Sequence, residues 1–559
     1  MSGPAYTLFR RLVPLLCLVL VISGCSVTGG SQTTQGDASP KPGGSPAAGQ
    51  QPVPGSRITE GGLIEPRTLN PIFVADPVSE EISHLVFNGL VFVDPKSGEP
   101  QPDLAQSWEV SDDRLTYTFH LRDSVLWHDG QPFAANDVVF TYQLMMNNRV
   151  RSPRFSRLVE RVHGVGAPDR STVTFTLIHP DATFLTDLAT FGIVPEHLLS
   201  TILPEELVTD PFGISSAVGT GPFTLQQWVR GDRILFQRNS KYFKDPAKVE
   251  GYVYRVLPST KELLSGLKDE SIDWAAIDPA GADEAKKVSG IRVESLPGYE
   301  MSYVSLQLDP AKTRLFQDVR IRKALMLALD RKQGVTDIWH GQATVADGTQ
   351  PPSSFAHAPS KTVYQQNLEQ AKSLLDEAGW KAEADGIRMK DGQALRFTLT
   401  TNSDDPERKE TAEWLIKSWS AIGVYVDRDF QKWSTIREET IRTRDFDALL
   451  LGYRWGIDPD QTAVWSSDSF FDAFNLNHYS NDQVDQLLDK AVASGDTEER
   501  KQLYAQAQDT VMEELPSLPL FFPNETVAVS KKLTNAQVTA IFMRNRANIE
   551  QWNPPPVKK

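Results

Sequence analysis

The chain is 559 residues long, more than a single hydrophobic core serves, and at ordinary domain sizes it holds about three or four units. Its 40% hydrophobic and 23% charged residues are those of a soluble globular protein. The net charge of -15 argues against non-specific nucleic-acid binding, which needs Lys and Arg against phosphates. Both cysteines, Cys17 and Cys25, sit in the N-terminal segment, so the globular part has neither a disulfide nor a Cys-ligated metal site.

The chain starts with Arg10-Arg11 and an apolar run, Leu12 to Ile22, too short for a permanent bilayer span but right for a secretory signal. The run ends Ile22-Ser23-Gly24-Cys25, which resembles a bacterial lipobox; a plain signal peptide with an incidental cysteine is the alternative. The lipobox resemblance implies that Cys25 is acylated and begins the mature chain, and two or three acyl chains would anchor it stably. Residues 26–56 are Gly, Ser, Thr, Gln and Pro with almost no apolar side chains, a disordered tether.

Order is expected from about Arg57. Leu104 to Leu144 combines two periods. Tyr117, Phe119 and Leu121 alternate with Thr118, His120 and Arg122 as a half-buried strand requires. After the Asp129-Gly130 turn, Val138, Val139, Tyr142 and Met145 share one face of a helix starting near Asn136. Val173 to Ile178 alternates as another strand. Ile321, Ala324, Leu325 and Ala328 form a helical stripe. Asn367, with Gln370, caps a helix buried through Leu368, Ala371, Leu374, Leu375 and Ala378 and ended by Gly379. A further helix, from near Ser480 with Gln483 in a capping box, buries Val484, Leu487, Leu488 and Ala491. Alternating short strands and helices of this kind predict α/β lobes. The tail Asn553-Pro554-Pro555-Pro556 should fray.

Catalytic patterns are missing. The nine histidines match no helical metal motif, no G-x-S-x-G elbow occurs, and the folded part has no Cys nucleophile. Gly219-Thr220-Gly221-Pro222-Phe223 lacks the Lys-Ser/Thr ending of a phosphate loop. His128, in Trp127-His128-Asp129-Gly130, reads as a turn histidine. One stretch has the composition of a binding element: Ala448 to Leu451, an apolar strand, opens into Tyr453-Arg454-Trp455-Gly456-Ile457-Asp458-Pro459-Asp460, with two aromatics, one arginine and two acids.

The ordered series W-x-V-S-x-D, T-F-x-L-R, H-D-G-x-P and D-V-V-F-x-Y between Trp108 and Tyr142 resembles the family 5 extracellular solute-binding proteins, the peptide- and nickel-type receptors of ABC importers. Thr68-Leu69-Asn70-Pro71, Val194 to Leu198, Ser271 to Trp274 and the A-K-x-L-L-x-x-A-G-W run at Ala371 extend it, so it covers Arg57 to about Phe522. One departure is Ala134, where the family usually has Thr, so that capping falls to Asn136 or Asp137.

The resemblance implies an α/β, two-lobed periplasmic-binding-protein fold of type II, in its large three-domain form with a hinge between the lobes. Its expected parts are a leader (1–25), tether (26–56), domain I (57–92, 205–302 and 526–559), a domain II insertion (93–204) and domain III, the second lobe (303–525). It implies ligand contacts at Phe73, Val74, Ala75 and Asp76 on one lobe and at Tyr453, Arg454, Trp455, Gly456 and Asp458 on the other. Peptide-binding members commonly carry an Asp shortly before D-P to accept the ligand ammonium, and this chain offers Gly456 there. Either Asp458 or a residue elsewhere substitutes, or the ligand is not an ordinary peptide; Arg454 is a candidate for pairing a ligand carboxylate. The expected function is a monomeric, membrane-anchored receptor outside the cytoplasm that passes a peptide or small polar ligand to an ABC permease and its ATPase. No cofactor, metal, nucleic acid or catalysis is expected. The alternatives are a secreted hydrolase or sensor on the same scaffold, or a nickel, haem, oligosaccharide or opine ligand.

Overall fold

Two chain segments lie side by side at the centre of the fold, and both run from one lobe into the other. The computed structural model describes residues 56–94, 97–470, 474–539 and 549–553. The expected leader, Cys25 and all of the tether before Ser56 lie outside the described residues, as does the tail from Pro554.

The first crossing segment is the strand Ser517–Ser530. Its first half pairs with Glu300–Leu306 and its second half with Ile291–Pro297, both antiparallel. The second segment is therefore 291–306, which crosses at Gly298. There the Gly298 N–H donates to Pro523 O at 3.0 Å, and a Cβ on Gly298 would strike that carbonyl. Along this axis a twelve-stranded sheet is assembled. In the first lobe Arg57–Gly62 pairs in parallel with Gly251–Val256 and Trp274–Ala276, and Arg233–Arg238 and Phe223–Val229 follow antiparallel. In the second lobe Arg396–Asn402 pairs in parallel with Tyr425–Gln431 and Ala448–Arg454, and the last returns antiparallel to Glu300–Leu306.

Within the strand Ala448–Arg454, residues Ala448 to Leu451 are buried on both faces, which explains their unbroken apolar run. Ala448 and Leu450 enter one core with Phe397, Leu399 and Trp419, while Leu449 and Leu451 enter another with Tyr303, Trp465 and Leu488. A separate four-stranded antiparallel sheet has the order 105–110, 116–121, 172–177, 162–169. In it Tyr117, Phe119, Leu121, Val173, Phe175 and Leu177 all point inward, as their alternation predicts, into a core shared with the first-lobe sheet.

Helix boundaries show where local signals were misleading. The helix over Ala135–Met145 has Ala134 at its N-cap, and neither Asn136 nor Asp137 occupies that position. Asp137 instead reaches back, accepting the Ala134 N–H at 2.9 Å, so half of a capping box survives without a hydroxyl. The helix expected from Ser480 is Asp482–Ala493, capped by Asn481, whose Oδ1 accepts from the Gln483 and Val484 amides. Its buried stripe is the expected one: Val484, Leu487, Leu488 and Ala491.

The glycines of 219–221 mark a close crossing of two backbones. A Cβ on Gly219 or Gly221 would collide with the Leu85 or Val86 carbonyl region, and Gly221 N donates to Val86 O at 2.8 Å.

Candidate functional site: a cleft between the lobes

The two lobes face each other across a cleft of about 660 Å³, a size suited to a small ligand or short peptide. Its first-lobe wall begins at the tight turn 68–73. Asn70 Oδ1 accepts the Ile72 amide, and Ser152 Oγ donates to Ile72 O at 2.7 Å, which delivers the next residues to the opening. Val74, Ala75 and Asp76 line the cleft, while Phe73 packs against the first core. Asp76 caps the helix Pro77–Ser83, accepting from the Ser79 amide at 2.9 Å and its hydroxyl at 2.7 Å.

The second-lobe wall is the loop after strand 448–454. Tyr453, Arg454, Gly456 and Asp458 line the cleft. Trp455 does not: it is 5% exposed in a second-lobe core, its ring centroid 4.6 Å from that of Tyr453. Its backbone N–H donates to Tyr299 O at 2.9 Å, and its indole N–H has no acceptor among the described residues.

Charge governs what this cleft accepts, and most of it is already matched. Glu80 meets Arg154 at 2.5 Å and His84 at 3.5 Å. Burial pushes the Glu80 carboxyl up, but Arg154 and His84 outweigh it and hold it at about 2. Arg161 bridges Asp181 and Asp187, and Arg157 joins Asp187 at 2.5 Å. Asp458, the nearest replacement for an acid at Gly456, pairs with Arg500 at 2.6 Å, both side chains under 10% exposed. Burial lowers the proton affinity of Arg500, but the adjacent Asp458 carboxylate more than offsets this, so the guanidinium stays charged. Arg454 binds Glu525 at 2.6 Å and Glu300 at 3.3 Å, one residue from each crossing segment, so two protein carboxylates already claim it.

Asp460 differs. Its Oδ1 accepts the Thr462 amide at 2.9 Å and the Thr462 hydroxyl at 2.6 Å, and no Lys, Arg or His among the described residues pairs with it. It lines the cleft beside Tyr453, whose hydroxyl is pushed up to about 12 by burial and by the Asp460 charge. The other lining acid with no cation partner is Asp76, which is used as a helix cap. A ligand carrying a cationic group therefore finds one unmatched carboxylate in the second-lobe wall.

Residues 99–475 match the family model described as "Bacterial extracellular solute-binding proteins, family 5 Middle". The chain belongs to this family. Its two-lobed α/β fold is that of the periplasmic binding proteins. Oligopeptide-binding protein AppA of Bacillus subtilis is 28% identical over 497 residues, covering 88% of this chain and 90% of that protein. Its structure in complex with a nonapeptide aligns with TM-score 0.74 at 27% identity, covering 89% of this chain and 98% of that one. Protein XP55 of Streptomyces lividans is 30% identical over 460 residues, 80% of each chain. NikZ of Campylobacter jejuni, in complex with Ni(L-His), aligns with TM-score 0.74 at 28% identity, covering 89% and 99%. Among the described residues no helix is long and apolar enough to cross a membrane, and no group of three or more His, Cys, Asp or Glu is placed to hold a metal ion.

Sequence reading missed a large part of the cleft: Arg154, Arg157, Arg161, Thr186, Asp187 and Asp460. Asp460 stands in the loop after strand 448–454, but only the pairing of Asp458 with Arg500, 42 residues away, singles it out. The others come from short or irregular segments that carry no periodic signal.

Proposed function

We propose that the chain is the receptor of an ABC importer, capturing a peptide or related small polar ligand between closing lobes and delivering it unchanged to a membrane permease driven by a separate ATPase. The observation that carries this reading is the cleft itself, walled by both lobes across two crossing strands. A ligand touching both walls binds the closed state better and so favours closure. Family membership supports the transport role, and the lipobox resemblance at Cys25 supports a membrane-anchored protein outside the cytoplasm. The domain division set out from the sequence, with 93–204 as an insertion in the first lobe, is part of the same reading.

Within the cleft, Val74, Ala75 and Asp76 face Tyr453, Gly456 and Asp458, and Asp460 supplies the carboxylate for a ligand ammonium. Asp458 and Arg454 hold the wall through Arg500 and Glu525. The nonapeptide bound by AppA favours a peptide cargo. No step of chemistry is assigned to the chain.

Calorimetry on the full chain with a pool of nonapeptides having free termini tests the cargo class, with Ni(L-His) as the second arm. Heat with the peptide pool, and peptide recovered unaltered by mass spectrometry, is the expected result. Heat only with Ni(L-His) would replace peptide by a metal chelate, and hydrolysed peptide would overturn the receptor reading.

A further inference from the structure

Outside the cleft, the insertion sheet and the second lobe touch at a place where three unusual features coincide. The turn joining strands 105–110 and 116–121 is held by Ser111 and Asp113. Arg114 N donates to Ser111 O at 2.8 Å, Leu115 N to Asp113 Oδ1 at 3.0 Å, and Thr116 N to Ser111 Oγ at 2.9 Å. Arg114 sits there at φ +60°, a left-handed position that Gly, Asn or Asp adopts at less cost. Its guanidinium lies directly over Gly495, in the short link between the helices Asp482–Ala493 and Thr497–Glu514 of the second lobe; a Cβ on Gly495 would fall within the Arg114 side chain.

A few residues away, the amide of Ala182 donates to the carbonyl of Val492 at 2.8 Å. That carbonyl belongs to the last turn of Asp482–Ala493 and has no acceptor role within its own helix, so the first lobe caps a second-lobe helix end.

The two contacts are mechanically joined. The Tyr117 hydroxyl, beside Arg114, donates to Asp181 O at 3.1 Å. Arg161 ties Asp181 to Asp187 and so stiffens the loop 181–187, whose Thr183, Thr186 and Asp187 line the cleft.

We propose that Arg114, Ala182, Val492 and Gly495 form a closure latch that sets how tightly the receptor holds its cargo without touching that cargo. The contacts exist only while the lobes are together, so they lower the free energy of the closed state whatever lies between them. Apparent affinity then scales with the closed fraction that the latch maintains. Gly495 is small because Arg114 occupies its side-chain space. The left-handed turn at Arg114 carries the guanidinium to the other lobe. The inference rests on the lobes closing over a ligand, but its test does not depend on which ligand.

The test compares the full chain with Arg114→Ala, Gly495→Leu and Arg114→Ala/Gly495→Leu. Small-angle scattering without added ligand and binding of the nonapeptide pool are the readouts. Each single substitution is expected to increase the radius of gyration and weaken peptide binding, Gly495→Leu at least tenfold, and the double variant is expected to be no worse than Gly495→Leu alone, because both remove the same contact. If Gly495→Leu is misfolded by circular dichroism, Gly495→Ala replaces it in the same comparison. An Arg114→Ala chain with unchanged scattering and affinity, or a double variant whose losses add, would overturn the latch. Absence of peptide binding to the unmodified chain would instead remove the peptide cargo, and the scattering comparison would still decide the latch.

Discussion

His128 holds the backbone of Gly221 through Nε2, at 3.0 Å from the Gly221 carbonyl, while its Nδ1 accepts the Gly219 amide at 3.2 Å. The second bond leaves Nδ1 without a proton, so Nε2–H is the donor and the ring is neutral. It clamps the segment that passes beside Leu85 and Val86.

This clamp makes stability depend on pH in a defined direction. Burial lowers the His128 pKa from the ordinary 6.5 to about 4, against smaller opposing effects of the Gly221 bond and Asp129. The unfolded chain takes up the proton first, so the His128 contribution is complete above about 6.5 and is lost as pH falls toward about 4. The expected loss is at most ~3 kcal/mol. Urea unfolding across this range should show the slope, and His128→Gln should flatten it while lowering stability at neutral pH. An equally steep slope in the variant would show that other groups cause it.

Asp460→Asn should weaken binding of peptides with a free amino terminus by ~10- to 100-fold, the loss of one charge-assisted contact. N-acetylated peptides should bind both proteins alike, and the melting temperature should stay within a few degrees. Calorimetry with the two peptide forms separates the outcomes.

Trp455→Ala should cost ~3–5 kcal/mol of folding stability, as loss of a buried aromatic does. Trp455→Phe should cost far less, because it also removes a buried N–H with no acceptor, a liability of ~1–3 kcal/mol. Chemical denaturation of both variants measures the difference. Equal losses would show that the indole N–H is satisfied in solution.

Arg454→Ala leaves Glu525 without its cation, while Glu300 keeps Arg408 at 2.9 Å. A destabilisation of ~1–3 kcal/mol is expected, less than for a fully buried pair because Arg454 is about one-third exposed. Adding Glu525→Gln should recover part of it. A double variant no better than the single would place the cost in lost packing instead.

The parts legible in the sequence were those whose signal is local. The alternation of Tyr117, Phe119 and Leu121 and the stripe Val484, Leu487, Leu488, Ala491 each record one buried face, and both faces are buried as read. Caps were read less well, because Ser480 and Asn481 are adjacent acceptors and only backbone geometry selects Asn481. The cleft was half legible. Its second-lobe loop announces itself by composition, but pairings such as Asp458 with Arg500, 42 residues apart, or Arg454 with Glu525, 71 apart, have no periodic trace. The side-chain type of Trp455 therefore suggests a ligand contact where folding gives it a core position, whereas Arg454 lines the cleft and is also held by Glu525 and Glu300.

The meeting of Gly298 and Pro523 constrains how this molecule moves. Two neighbouring strands of one ladder cannot change their spacing of about 4.8 Å without breaking the pairs between them. Sliding one half past the other is therefore stiff, and bending both strands together about the line from Gly298 to Pro523 is the soft direction. The mouth must open widest at the rim farthest from that line. The longest cargo admitted is then governed by the angle of swing, and a longer guest would be accommodated with its ends projecting toward that rim.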